Sequence, residues 1–347
     1  MIVVDGYWFP QVRLRRGRRR EHHPASRAPP PGAVRLRTVG VRRAGMLPRG
    51  MIAHSEHMAR SSTMIIHTIP LRDEVTWVYL EAYLLQNSPQ FQTDRRRPAV
   101  IVCPGGGYRF TSDREAEPVA LRFLAQGYHA FVVRYSVQTP FPQPMHDLAT
   151  AVQLVRANAN AGHLDPDQLA VCGFSAGGHL AASLGVLWQH PWLTEPLGVS
   201  ADVIRPNALI LGYPVIDLDL TDNALRAFGP DGAPERPRDF MLRTVLGEAD
   251  PALTERYRLG RQVSSATPPT FLWHTADDEL VYAHNALRFA TALADHHVPY
   301  ELHIFGSGVH GLALADDTTD VEGRMINADA QVWIDLAVRW LKRQWAR

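Results

Sequence analysis

A chain of 347 residues with 46% hydrophobic and 20% charged residues has enough apolar material for a sizeable core, which excludes a wholly disordered or fibrous protein. It contains no apolar run of about 18 residues and no apolar leader, so the sequence predicts no membrane span and a cytoplasmic location. The net charge of +1 hides a division: residues 1–62 carry thirteen Arg against three acidic residues, a balance of +10, which leaves −9 for residues 63–347.

The basic part includes Arg13, Arg15, Arg16, Arg18, Arg19 and Arg20, then Pro29-Pro30-Pro31-Gly32, and shows neither a strand nor a helix period. Residues 1–63 are expected to be a disordered extension, with Met64 favoured as the true start and 64–347 as the folded domain. The extension lacks interleaved aromatics and a folded module, so nucleic acid is not an expected partner.

From Met64 the pattern becomes that of strands. Val75, Trp77 and Tyr79 share one face, which predicts an antiparallel opening hairpin. Ala99 to Cys103 is continuously apolar, as in a parallel strand covered on both faces. Helical and strand patterns then alternate: helix 114–126, strand 128–134, helix 145–160, strand 168–172, a helix from Ala176, strands 208–211 and 270–273, helix 282–295, strand 301–305 and a last helix 328–344. Repeated βα units predict a mostly parallel sheet with helices on both faces. Residues 215–268, rich in charge, Pro and Gly, break that rhythm and are expected to be a cap-like insertion over the sheet's C-terminal edge.

Gly173-Phe174-Ser175-Ala176-Gly177 lies between a strand and a helix, the setting of a nucleophile elbow, where a Cβ at either glycine would collide with crossing backbone. Ser175 is therefore the candidate nucleophile. A serine hydroxyl needs a base, and the base needs a carboxylate to fix its tautomer. After strand 270–273 come Asp277 and Asp278. Asp278 is preferred for its Asp-x-x-Val spacing to Val281, and Asp277 has the plainer alternative of a helix N-cap. Of sixteen histidines, His310 follows a strand in the small-residue loop Gly306-Ser307-Gly308-Val309-His310-Gly311, which suits a presented base. Cys103-Pro104-Gly105-Gly106-Gly107-Tyr108 follows a buried strand, so the N–H groups of Gly105 and Gly106, with that of Ala176, are the expected oxyanion donors. Tyr108 and Phe174, adjoining these positions, are the expected substrate contacts. No nucleotide-binding or metal-ligand spacing is present, so no cofactor and no metal are expected.

With these elements in order, the chain from about Met64 resembles the acetyl-esterase branch of the α/β-hydrolases, relatives of xylan and carbohydrate acetyl-esterases. The carrying residues are PGGGY at 104–108, GFSAGGHLAASLG at 173–185, HTADDELV at 274–281 and GVHGL at 308–312. The resemblance implies the α/β-hydrolase fold, Ser175, Asp278 and His310 as a triad, no cofactor, and short acyl esters as substrates. Related esterases begin the oxyanion loop with HGGG. Pro104 stands here in place of that histidine, so support for the loop must come from elsewhere. In this fold the strands ending at Cys103 and Cys172 would be neighbours, with both thiols reduced and close under the site. An amidase or peptidase on the same machinery and a non-catalytic binding protein are the alternative functions. The alcohol half of the ester and the oligomeric state stay open.

Overall fold

The computed structural model describes residues 65–90, 92–217 and 255–346, with the short pieces 2–4, 7–9, 227–228, 234–235 and 243. Contacts divide the chain into Met1–Leu14 with Ser62–Arg347, and Arg15–Ser61. The second unit, most of the expected 1–63 extension and most of the 215–268 insertion lie outside the described residues. Within the extension, Ile2–Val4 pairs antiparallel with Tyr7–Phe9. The intervening Asp5-Gly6 is a hairpin signal that composition alone hides.

The eight strands of the main sheet are β1 (Ile65–Pro70), β2 (Tyr79–Leu84), β3 (Arg97–Cys103), β4 (His129–Arg134), β5 (Leu164–Phe174), β6 (Ala208–Gly212), β7 (Thr270–Thr275) and β8 (Tyr300–Phe305). They lie in the order β1-β2-β4-β3-β5-β6-β7-β8. β1 and β2 form a hairpin, β2 runs antiparallel to β4, and β3 to β8 are parallel to one another.

The expected opening hairpin exists, but with different strands. Leu71 N–H donates to the Val78 carbonyl at 3.1 Å, so residues 71–78 are the turn, and Trp77 in it is 65% exposed. The buried alternation starts at Val78 and continues through Leu80 and Ala82. A period of two over a short window fits turn residues as easily as a strand.

The described helices are α1 (Glu117–Ala125), α2 (Gln143–Ala157), α3 (Ser175–Leu187), α4 (Pro191–Leu197), α5 (Ala201–Ile204), α6 (His284–Asp295) and α7 (Trp333–Trp345). α4 and α5, too short to show a helical period, were not expected. The strand residues alternate between two cores. Ile101, Leu209 and Leu272 pack with α2, α3 and α6. Val100, Ile210 and Phe271 pack on the other face with α1 and α7. Apolar side chains on both faces are what turn these strands into continuous apolar runs. No helix among the described residues is long and apolar enough to cross a membrane.

Because β3, β5, β6, β7 and β8 are parallel, the segments that follow them all emerge at the same edge. This is the edge where open α/β sheets carry their sites.

Candidate active site

β5 ends at Phe174 and α3 starts at Ser175, leaving no connecting residue between them. Ser175 takes φ +51°, a left-handed conformation that costs a non-glycine residue about 1–3 kcal/mol. The turn is tight enough that a Cβ on Gly173 would lie 2.3 Å from the Gly177 carbonyl oxygen, and one on Gly177 would lie 2.1 Å from that of Cys103. The glycines thus let the elbow sit directly on the end of β3.

His310 Nε2 lies 2.8 Å from Ser175 Oγ, and His310 Nδ1 lies 2.7 Å from Asp278 Oδ2. A carboxylate only accepts, so Nδ1 carries the proton and Nε2 is left to accept from the serine hydroxyl. Asp278 is 2% exposed, and its other oxygen accepts the N–H groups of Leu280 and Val281, both at 2.9 Å. Burial alone would raise this carboxyl. The hydrogen bond and charge of His310, with the Val281 N–H, outweigh burial and hold it below the usual carboxylate range.

Asp277 does not reach His310. It accepts the Gly308 N–H at 2.6 Å, and Thr275 Oγ1 donates to the Gly308 carbonyl at 2.7 Å. The N-cap alternative for Asp277 does not hold, since α6 begins only at His284.

The oxyanion side departs from expectation at Gly105. Its N–H donates to Glu115 Oε2 at 2.7 Å, so it is turned away from any oxyanion. The N–H groups of Gly106 and Gly107 donate to no described backbone acceptor, and that of Ala176 sits in the first turn of α3, where no intrahelical acceptor exists. At Pro104, where the related histidine is missing, the Tyr135 O–H donates to the Pro104 carbonyl at 2.7 Å.

Residues 87–293 match the family model described as BD-FAE, which is well over half of the chain. The chain belongs to the BD-FAE family. It is an esterase-like α/β-hydrolase, and the relatives bear this out. Endo-1,4-beta-xylanase B of Butyrivibrio fibrisolvens is 34% identical over 65% of the chain, which spans 34% of that protein. Acetylxylan esterase of Xylanibacter ruminicola is 28% identical over 61% of the chain, which spans 40% of it. The chain thus spans less than half the length of these curated relatives. The crystal structure of the carboxylesterase Cest-2923 from Lactobacillus plantarum WCFS1 superposes with a TM-score of 0.68 at 31% identity, covering 81% of this chain and 98% of that one.

Two expected substrate contacts are not where this BD-FAE chain presents side chains to a ligand. Tyr108 is fully buried, its O–H lies 2.8 Å from His179 Nδ1, and its ring packs edge-on to Tyr135 and Phe141. Phe174 is fully buried against Tyr213 and Trp333. Alternation along β5 puts Phe174 on the same face as Cys172, the α1 and α7 face. The same alternation separates the thiols: Cys172 pairs with Val102, so Cys103 points to the opposite face, and the two do not meet under the site. Both are free and buried, and burial pushes both thiols up.

Sequence reasoning missed Glu115 and Tyr213. Tyr213 follows a fully buried strand at the functional edge, a position that was a readable signal. Glu115, one acidic residue near several before α1, gave none. Among the described residues no group of His, Cys, Asp and Glu side chains converges as a metal site would require.

Proposed function

We propose that this chain is a serine esterase that hydrolyses short acyl esters, with carbohydrate acetates as the substrate class. The observation that carries the reading is the unbroken relay from Ser175 Oγ through His310 to Asp278, with contacts of 2.8 and 2.7 Å. Ser175 Oγ attacks the ester carbonyl while His310 Nε2 takes its proton. Asp278 keeps the Nδ1 proton in place and stabilises the imidazolium. The N–H groups of Gly106, Gly107 and Ala176 receive the negative charge of the tetrahedral intermediate. His310 then returns the proton to the leaving alcohol, and a water, deprotonated by the same nitrogen, hydrolyses the acyl-enzyme. The name of the acetylxylan esterase relative supports the acetyl and carbohydrate parts of the reading. Exposed Phe110 and Val309, flanking the oxyanion loop and His310, offer apolar surface to the ester. A cytoplasmic setting belongs to the same reading, supported by the two free buried thiols.

The test is hydrolysis of nitrophenyl esters from acetyl to octanoyl by wild type and by Ser175→Ala. Rates should fall with chain length, and the variant should lose about 10⁶ in kcat. Retained turnover in the variant removes Ser175 from the mechanism, and a preference for octanoyl removes the short-acyl assignment.

A further inference from the structure

One buried carboxylate stands beside the proposed relay without taking part in its proton transfers. Glu115 is 4% exposed and ends the short helical turn Asp113–Glu115 ahead of α1. Burying a carboxylate is unfavourable unless its oxygens are hydrogen-bonded. Here both are: Oε2 accepts the Gly105 N–H at 2.7 Å, and Oε1 accepts the Tyr213 O–H at 2.8 Å.

Neither partner is structurally inert. Gly105 is wedged against the nucleophile, since a Cβ there would lie 2.8 Å from the Phe174 carbonyl oxygen and 3.0 Å from Ser175 Cβ. Holding the Gly105 peptide also fixes the direction of the next N–H groups. Tyr213 in turn accepts the Ala313 N–H at 2.9 Å, and its ring stands edge-on to His310 with centroids 5.1 Å apart. The neighbouring Arg114 donates to the carbonyls of Gly311 at 2.8 Å and Thr319 at 2.7 Å. One short turn therefore holds loops that leave three separate strands, β3, β6 and β8.

We infer that Glu115 is a positioning residue: it holds the oxyanion loop directly and the His310 loop through Tyr213, keeping donors and base at a fixed separation across Ser175. This rests on the esterase reading above.

The experiment compares the full chain with Glu115→Ala, Glu115→Gln and Tyr213→Phe. Three quantities are read: kcat and KM on nitrophenyl acetate, inhibition by an aryl trifluoromethyl ketone that forms an oxyanion on Ser175, and amide exchange over residues 104–116 and 306–315. Glu115→Ala should lower kcat about 100-fold, the scale of one lost oxyanion donor, with KM nearly unchanged and ketone affinity falling in parallel. Exchange should rise in both segments, and Glu115→Gln, which keeps one acceptor oxygen, should recover part of the loss. Tyr213→Phe should cost about tenfold, the scale of one hydrogen bond to a charged group, and loosen 306–315 alone.

Wild-type kcat and ketone affinity in Glu115→Ala overturn the inference, as does a rise in KM alone, which would mark a substrate contact. If Glu115→Ala does not fold, wild-type behaviour of both other variants overturns it. If wild type hydrolyses no ester, the esterase reading fails on its own, and exchange still decides: unchanged protection of both segments refutes the clasp, and increased exchange in both supports it.

Discussion

The loops 104–108 and 306–311 both consist largely of small residues, both follow a parallel strand, and both lie against Ser175, yet they are held in different ways. The first is fastened from the core: buried Tyr135 and Glu115 take hold of Pro104 and Gly105, and Tyr108 is fully buried. The second is fastened largely nearer the surface, by exposed Asp277 on the Gly308 N–H, by Arg114 on the Gly311 carbonyl and by Asn327 Nδ2 on the Ser307 carbonyl at 2.7 Å, with only Thr275 reaching it from the core, while Val309 stays 50% exposed. In the proposed mechanism the peptide groups of the first loop meet the developing charge themselves, so their planes need the stiffness of the interior. In the second the backbone would only carry the imidazole of His310, whose Nδ1 is held separately by Asp278.

The sharpest way to break that contrast is to leave the second loop intact and remove the orientation. Asp278→Asn should keep the fold and lower kcat about 10⁴-fold, because the amide favours the wrong tautomer. Steady-state turnover of nitrophenyl acetate measures it, and a loss below about tenfold would mean that the loop alone orients His310.

Acid should strain both loops together. His179, bonded to Tyr108, is pushed down to about 3 by burial, and His274, at the end of β7 near Asp278, is pushed down to about 4, chiefly by burial. In the unfolded chain both titrate near about 6.5, so between that pH and the folded values the unfolded state binds more protons. Stability is therefore fully present above about pH 6.5 and falls as the pH drops, by about 1.4 kcal/mol per pH unit for each histidine. Urea midpoints at pH 7, 6 and 5 should decline, and a flat series would show that neither ring stays neutral.

The smallest effects separate the two fastenings. Asp277→Ala should reduce kcat about tenfold with little change in KM, since it frees the backbone beside His310. Tyr135→Phe should leave a buried carbonyl unpaired and cost about 1–3 kcal/mol of stability, read as a shift in the urea midpoint. Equal kinetic and stability losses from the two variants would erase the distinction between core and surface support.

The parallel sheet was legible because continuous apolar runs such as Ala99 to Cys103 and Ala208 to Leu211 have few other homes. The elbow and the His310 loop were legible because strand, turn and small residues occur together, and Asp278 was singled out from Asp277 by its spacing to Val281, whose N–H it accepts. Gly105 was misread for a physical reason: three successive glycines look alike in sequence, and only the tertiary position of Glu115 decides which N–H is taken. Tyr108 and Phe174 adjoin the site along the chain, but the direction of each side chain takes it into the core. Phe174 could have been placed from the alternation of β5, whereas the inward turn of Tyr108, at φ +59°, had no sequence signal.

The left-handed backbone at Ser175 sets stability against activity at a single position. Glycine adopts that conformation freely, so Ser175→Gly should raise the unfolding free energy by about 1 kcal/mol while abolishing turnover. A search for thermostable variants that does not also screen for hydrolysis would be drawn to a replacement that removes the proposed nucleophile. Calorimetry of that variant beside wild type would show how much stability this chain gives up to hold Ser175 in that conformation.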